Sequence, residues 1–295
     1  MWFVLALIAL SMLVARRSVE KNLSNKVDSL AMAWLQQAWA LPFIVLSLGF
    51  MKFYWPSELS AHFWLYTSIY AVAGALDLYL YFTALRLADI SLVAPLISLT
   101  GVGAIIGSVV ILHQRPTVWG MLGALCVVTG TIIIYRAKQN IDLTKQNNQL
   151  AMWLVLGMVV LRAMYGNFEL FPLRETNATT FNFYSSLLTV PVLLIVALLL
   201  KRGRAAGQYW RRVGRDVRQY TWLLVFVGLT YTVNLTATYQ AKLLAPTAGY
   251  VTSIKSAQVV PMMFIGAWLF REKVTRRQWW GVGLISIGLC ALALG

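Results

Sequence analysis

The chain has 295 residues, 59% of them hydrophobic and only 12% charged, with a mean hydropathy of +0.69. A soluble domain carries charge on roughly a quarter of its residues, so most of this surface is set against lipid and a water-soluble fold is excluded. The formal charge of +15 would suggest nucleic acid in a soluble protein; here it is read as loop charge facing anionic lipid, with no nucleic-acid partner.

A membrane-crossing helix needs about 20 mainly apolar residues. In chain order the candidate runs are 2–15, 30–50, 61–86, 91–112, 117–136, 151–172, 178–200, 220–243, 247–270 and 277–294, the first of them short. Runs such as VALLL and TIIIY lack the in–out alternation of a membrane barrel. The predicted fold is therefore an all-α integral membrane protein with ten transmembrane helices. The first run starts at Met1 with no basic stretch before it and no small-residue cleavage site after it, and is expected to be a retained helix. Cys126 and Cys290 lie in separate apolar runs, and His62 and His113 stand near helix ends without ligand spacing. No metal or cofactor is expected.

The basic residues are unevenly placed. If connections are numbered by the helix they follow, the odd ones hold nineteen Lys and Arg, from Arg16 and Arg17 to Arg276 and Arg277, and the even ones hold four: Lys52, Arg115, Arg174 and Lys242. Cytoplasmic loops carry the Lys/Arg excess, which predicts odd loops inside and both termini outside, in a bacterial inner membrane.

Shifting the chain by 158 positions aligns the ends of its two halves without a gap. Tyr81 then meets Tyr239, Leu85 meets Leu243, Thr117 meets Thr275, Gly123 meets Gly281 and Gly130 meets Gly288. Pro42 and Pro191 occupy similar depths in the second helix of each half. The predicted units are 1–143 and 149–295. Five is an odd number of crossings, so the second copy enters from the opposite side, giving the inverted repeat found in secondary transporters. Gly103 and Gly107 form a GxxxG pair, and Gly120, Gly123, Gly130, Gly281 and Gly288 form small-residue stripes for close helix packing. Monomer and homodimer are both left open by these stripes.

Ten helices in two such halves resemble the drug/metabolite transporter superfamily, in its EamA-like branch. The resemblance is carried by HQRPTVWGMLGALCVVTG at 113–130 and REKVTRRQWWGVGLISIGL at 271–289. The latter is similar to the family's pattern through Glu272, Gln278 and Gly281; the former has Gln114 where Glu is usual. The resemblance implies a transporter of small metabolites, amino acids among them, commonly an exporter. It also implies cytoplasmic termini, as in many relatives, against the charge count. Small multidrug members carry an acid in the first helix of the repeat, and 2–14 has none.

Ionisable groups deep in a spanning helix usually face a cavity or a partner. Lys255 is well inside the ninth run, with Ile97 as its counterpart, Ser256 and Gln258 beside it and Pro261 beyond. It is expected to meet a carboxylate or phosphate, or else to pair with Asp77. Arg162, Tyr165 and Glu169 recur at spacings of three and four and share a face, with Asn167 in the same polar run. Arg162 is read either as a substrate clamp or as a structural partner of Glu169 or Asp77. Asp77 precedes Tyr81 by one turn; Asn234 and Tyr239 are the comparable polar residues of the second copy. Trp34 and Gln37 complete the expected substrate-binding set, and Asp77 and Glu169 are candidates to carry a coupling proton or to meet a counter-ion. Two deep cations suit a ligand with an anionic or zwitterionic head, such as an amino acid or organic acid. Multidrug or cation efflux and a non-transport membrane scaffold are the alternatives. No catalytic constellation or nucleotide-binding loop is legible, so transport is expected to be secondary and no enzyme activity is expected.

Overall fold

A computed structural model describes the chain except for residues 25, 88–92, 94, 95, 98, 138–145, 202, 203, 263, 265–274 and 295. Eleven α-helices are described: α1 Trp2–Ser24, α2 Ser29–Ser47, α3 Ala61–Leu87, α4 Thr100–Leu112, α5 Val118–Ala137, α6 Gln146–Phe168, α7 Leu170–Glu175, α8 Ala178–Leu200, α9 Arg204–Leu244, α10 Ala248–Ser256 and α11 Arg276–Leu294. No strand occurs among the described residues. Among the described residues, seven helical stretches are long and apolar enough to cross a membrane, and 100–112 and 118–134 are shorter apolar helices.

The surface is inverted relative to a soluble protein. On α3, Leu76 is 49% exposed while its neighbour Asp77 is 3% exposed. Val110, Val160, Leu198 and Ile287 are likewise outward, while Glu169, Asn234 and Gln258 are buried. That is the distribution a hydrocarbon solvent demands: apolar side chains outside and polar groups satisfied within.

Helix starts follow local chemistry. The Asp28 side chain accepts from the Leu30 and Ala31 amides at the head of α2, and Asn177 accepts from Thr180 at the head of α8. Thr275 and Gln278 form a reciprocal capping box before α11, the Gln278 Oε1 accepting from the Thr275 amide at 2.7 Å. One shift of 158 back, that glutamine is Gly120. A Cβ there would lie 2.0 Å from the Tyr250 ring, and the Tyr250 hydroxyl accepts from the Thr117 amide at 2.7 Å in place of the missing amide side chain. Gln114, the departure from the family pattern, accepts from the Ala248 amide at the head of α10.

Three expected boundaries need correction. The first helix runs on to Ser24, because nothing in ARRSVEKN breaks a helix, so Arg16 and Arg17 are helical and buried rather than in a loop. The sixth run divides into α6 and α7 around Glu169. The eighth run is the second part of a 41-residue helix that kinks at Tyr220 (φ −115°, ψ 20°) after an Arg-rich amphipathic arm. Lys242, counted among loop residues, lies inside α9. Glu272 of the family pattern, Lys273 and the end of the run 247–270 lie outside the described residues.

Helices pack in pairs: α1 on α9, α3 on α6, α2 on α8 and α9, α3 on α8, α4 on α6 and α10, and α5 on α11. The α5–α11 contact is backbone on backbone. A Cβ on Gly123 would lie 2.7 Å from the Gly288 carbonyl oxygen, and one on Gly130 would lie 2.6 Å from that of Gly281. The glycine stripes of these two helices therefore join them within one chain.

Candidate functional site

A cavity of about 170 Å³ lies among α1, α2, α3, α4, α6, α8, α9 and α10. The second half of α9 supplies one wall through Tyr231, Asn234, Thr238 and Lys242, whose spacings of three and four put them on one face. The last turns of α1 add Arg16 and Arg17, α3 adds Tyr70 and Asp77, α6 adds Arg162 and Tyr165, and Glu169 comes from the junction of α6 and α7. Lys255 and Gln258 come from α10 and the turn after it. From Tyr231 to Lys242 the polar wall extends about 16 Å along α9.

Most of the charge is matched within the wall. Arg162 donates from Nε and Nη2 to the two oxygens of Asp77, each at 2.7 Å. Lys242 is ion-paired with Glu169, and its Nζ also donates to the Gly166 carbonyl at 2.9 Å. Arg16 pairs with Glu20 one turn on at 3.0 Å, and lies over the Tyr231 ring at 4.8 Å. Lys255 is different. Its Nζ donates to the Thr238 hydroxyl at 3.0 Å, and among the described residues no carboxylate lies within ion-pair distance of it. A half-buried ammonium held by one hydroxyl is incompletely compensated.

Two tyrosines of the cavity wall are joined to each other. The Tyr70 and Tyr239 hydroxyls are 2.7 Å apart, and Phe181 packs against both rings at 5.3 and 5.0 Å. The bond links α3 to α9.

The cavity brings together Lys255, Arg162, Asp77, Tyr165, Glu169, Asn234, Tyr239, Gln258 and Gln37. Three expected residues stand outside it. Tyr81 is one turn past Asp77 and donates to Glu20 at 2.9 Å. Asn167 turns away from the cavity, bonding the Ala163 carbonyl at 2.8 Å where α6 meets Gly107 of α4. Trp34 donates to the Tyr209 hydroxyl at 3.3 Å and packs on Trp210 of the α9 arm. The Lys255–Asp77 and Arg162–Glu169 pairings are replaced by Arg162–Asp77 and Lys242–Glu169.

Sequence reasoning missed Arg16, Arg17, Lys242, Tyr70 and Tyr231. Two signals were available: Arg16 and Glu20 are four apart in an unbroken helical run, and Asn234, Thr238 and Lys242 repeat every four residues. No cluster of His, Cys, Asp or Glu fit to hold a metal occurs among the described residues.

Comparison with curated proteins gives no match. A solved structure, described only as "Crystal structure of protein", is similar in fold with a TM-score of 0.66 at 12% identity, covering 99% of this chain and 97% of that one. The model of the EamA-like transporter family matches twice, over residues 1–136 and 149–294. With both copies accounting for nearly the whole chain, this integral membrane protein belongs to the EamA-like transporter family, within the drug/metabolite transporter superfamily.

Proposed function

We propose that this transporter moves a small metabolite with an anionic head, bound in the central cavity on Lys255. The observation that carries the reading is the lysine without a carboxylate. An unpaired, half-buried cation inside a membrane protein is costly, and a bound carboxylate or phosphate removes that cost while gaining a charge-assisted hydrogen bond. A volume of about 170 Å³ is below the roughly 300–1,000 Å³ of sites for drug-sized ligands, which favours a metabolite over a bulky drug. Cation efflux has less behind it, because Asp77 and Glu169, the two carboxylates of the wall, are both engaged by cations.

Transport is proposed to be secondary and to proceed by alternating access of two inverted five-helix halves, 1–143 and 149–295, with ten spans in all. The packing supports this reading. Exchanging the halves turns α1 on α9 into α6 on α3, and α2 on α9 into α8 on α3, and all four contacts occur. The Lys/Arg bias, which persists without Arg16, Arg17 and Lys242, puts the arm of α9 at the cytoplasmic face of a bacterial inner membrane, with both termini outside. Export is the direction the family implies, with a proton or counter-ion as coupling partner.

The test is a thermal-shift panel on detergent-purified protein, wild type beside Lys255→Gln, followed by flux from loaded proteoliposomes. A ligand at 100 times its dissociation constant stabilises by about 2.7 kcal/mol. A carboxylate or phosphate shift that disappears in Lys255→Gln supports the proposal. Stabilisation by lipophilic cations in both proteins alike would reverse it.

A further inference from the structure

Lys255 has a counterpart. Arg17 lines the same cavity, and among the described residues no acid lies within ion-pair distance of it. Its Nε has no hydrogen-bond acceptor, and its guanidinium lies over the Tyr81 ring at 5.0 Å. The side chain is nonetheless buried, with 5% of the residue exposed. The other three cations of the wall are matched, Arg162 by Asp77, Lys242 by Glu169 and Arg16 by Glu20. Each of those pairings engages an acid as well as a base. Both Asp77 oxygens accept from Arg162, one Glu169 oxygen accepts from Lys242, and Glu20 accepts from the Tyr81 hydroxyl on one oxygen and has Arg16 at ion-pair distance, without a hydrogen bond, on the other.

Among the described residues, the cavity therefore holds two surplus positive charges and no acid without a cationic partner. We propose that the ligand is a dianion, with two negative charges on one small molecule, as in a dicarboxylate or a phosphate monoester, and not a zwitterion. The proposal rests on the anionic reading of the Lys255 site and narrows it. A monoanion leaves one of the two cations uncompensated. A zwitterion does the same and brings an ammonium into a field already positive, with no acid to receive it. A dianion brings the wall and its ligand to balance, one charge against the ammonium of Lys255 and one against the guanidinium of Arg17. Arginine suits that task, since its planar fork meets carboxylate or phosphate oxygens two at a time.

The experiment is calorimetric titration of the purified full-length protein at pH 7.5 with succinate, glycerol 3-phosphate, propionate and alanine. At that pH a phosphate monoester, with its second pKa of about 6, is mostly dianionic. The expected result is at least tenfold tighter binding of succinate or of glycerol 3-phosphate than of propionate, with alanine weakest. Which of the first two binds distinguishes dicarboxylate from phosphate ester. Arg17→Gln should remove the preference for the dianion, weakening dianion binding far more than propionate binding, and Arg17→Lys should restore most of it. Equal binding of propionate and the dianions, or tightest binding of alanine, overturns the dianion and leaves an anionic head on Lys255 standing. If none of the four binds, both proposals fall. The wild-type preference alone decides the ligand's charge, whether or not the variants fold.

Discussion

Arg162 and Asp77 join α6 to α3 across 85 residues of sequence by two parallel bonds of 2.7 Å. Asp77 has 4% of its side chain exposed and Arg162 has 24%, so the carboxylate is shielded and the guanidinium only partly so. Removing one member of such a pair leaves the other charge buried and costs about 3–5 kcal/mol, whereas replacing both by apolar groups is often neutral. Asp77→Asn is expected to lower the thermal midpoint sharply. Arg162→Met with Asp77→Leu should recover most of the loss. Thermal unfolding of the single and double variants in one detergent decides it; a double variant as unstable as the single would show that the pair is not the unit.

Lys255 should behave in the opposite sense. A cation with a hydroxyl for its polar contact contributes little to the empty protein, so Lys255→Gln is expected to leave the unliganded midpoint unchanged or higher. Its cost should appear in ligand affinity, a loss of at least tenfold. A fall in the unliganded midpoint comparable to that of Asp77→Asn would make Lys255 a structural residue.

The Tyr70–Tyr239 bond joins α3 to α9 within the cavity wall. Tyr70→Phe removes the bond and keeps the ring against Phe181, at a cost of about 1 kcal/mol. Ligand affinity should stay within about threefold and the rate of flux from proteoliposomes should change. An unchanged rate would mean that this contact does not separate during transport.

How far the sequence was legible can be argued residue by residue. The helix runs were readable because hydrocarbon imposes a length and a composition. Ends were read less well where a charge was assigned to a connection: the first run was stopped before Arg16 and Arg17, and Lys242 was counted with a loop although the run 220–243 contains it. In a helix that faces a cavity, charge is no stop signal. Asn167 shows a different error. It is two residues from both Tyr165 and Glu169, and positions two apart do not share a helix face, so its exclusion from the wall was written in the spacing. Trp34 lies three residues before Gln37 and on its side of α2, but it meets the arm of α9 instead of the cavity. The docking of that arm is a long-range matter with no local pattern to announce it. Trp34→Phe should accordingly leave ligand affinity within twofold, by the same titration.

The close approach of α5 and α11 gives a packing test. A Cβ at Gly288 would lie 2.6 Å from the Gly123 carbonyl oxygen, whereas nothing lies within 4 Å of one at Gly283. Gly288→Ala should destabilise by about 1–3 kcal/mol through overpacking, and Gly283→Ala should stabilise by up to about 1 kcal/mol through helix propensity. Equal effects at the two sites would mean that the helices are not held this closely.

Those glycines touch in two places, Gly123 with Gly288 and Gly130 with Gly281, seven residues or about 10 Å apart along each helix. Backbone pressed on backbone has no side-chain length to yield, so sliding one helix along the other drives carbonyl oxygens into Cα atoms. Motion that keeps both contacts is rotation about the line through them, as on a door hung from two pins. Neither helix lines the cavity, so this axis lies to one side of it, and a small angle turned there becomes a larger displacement at the charged wall.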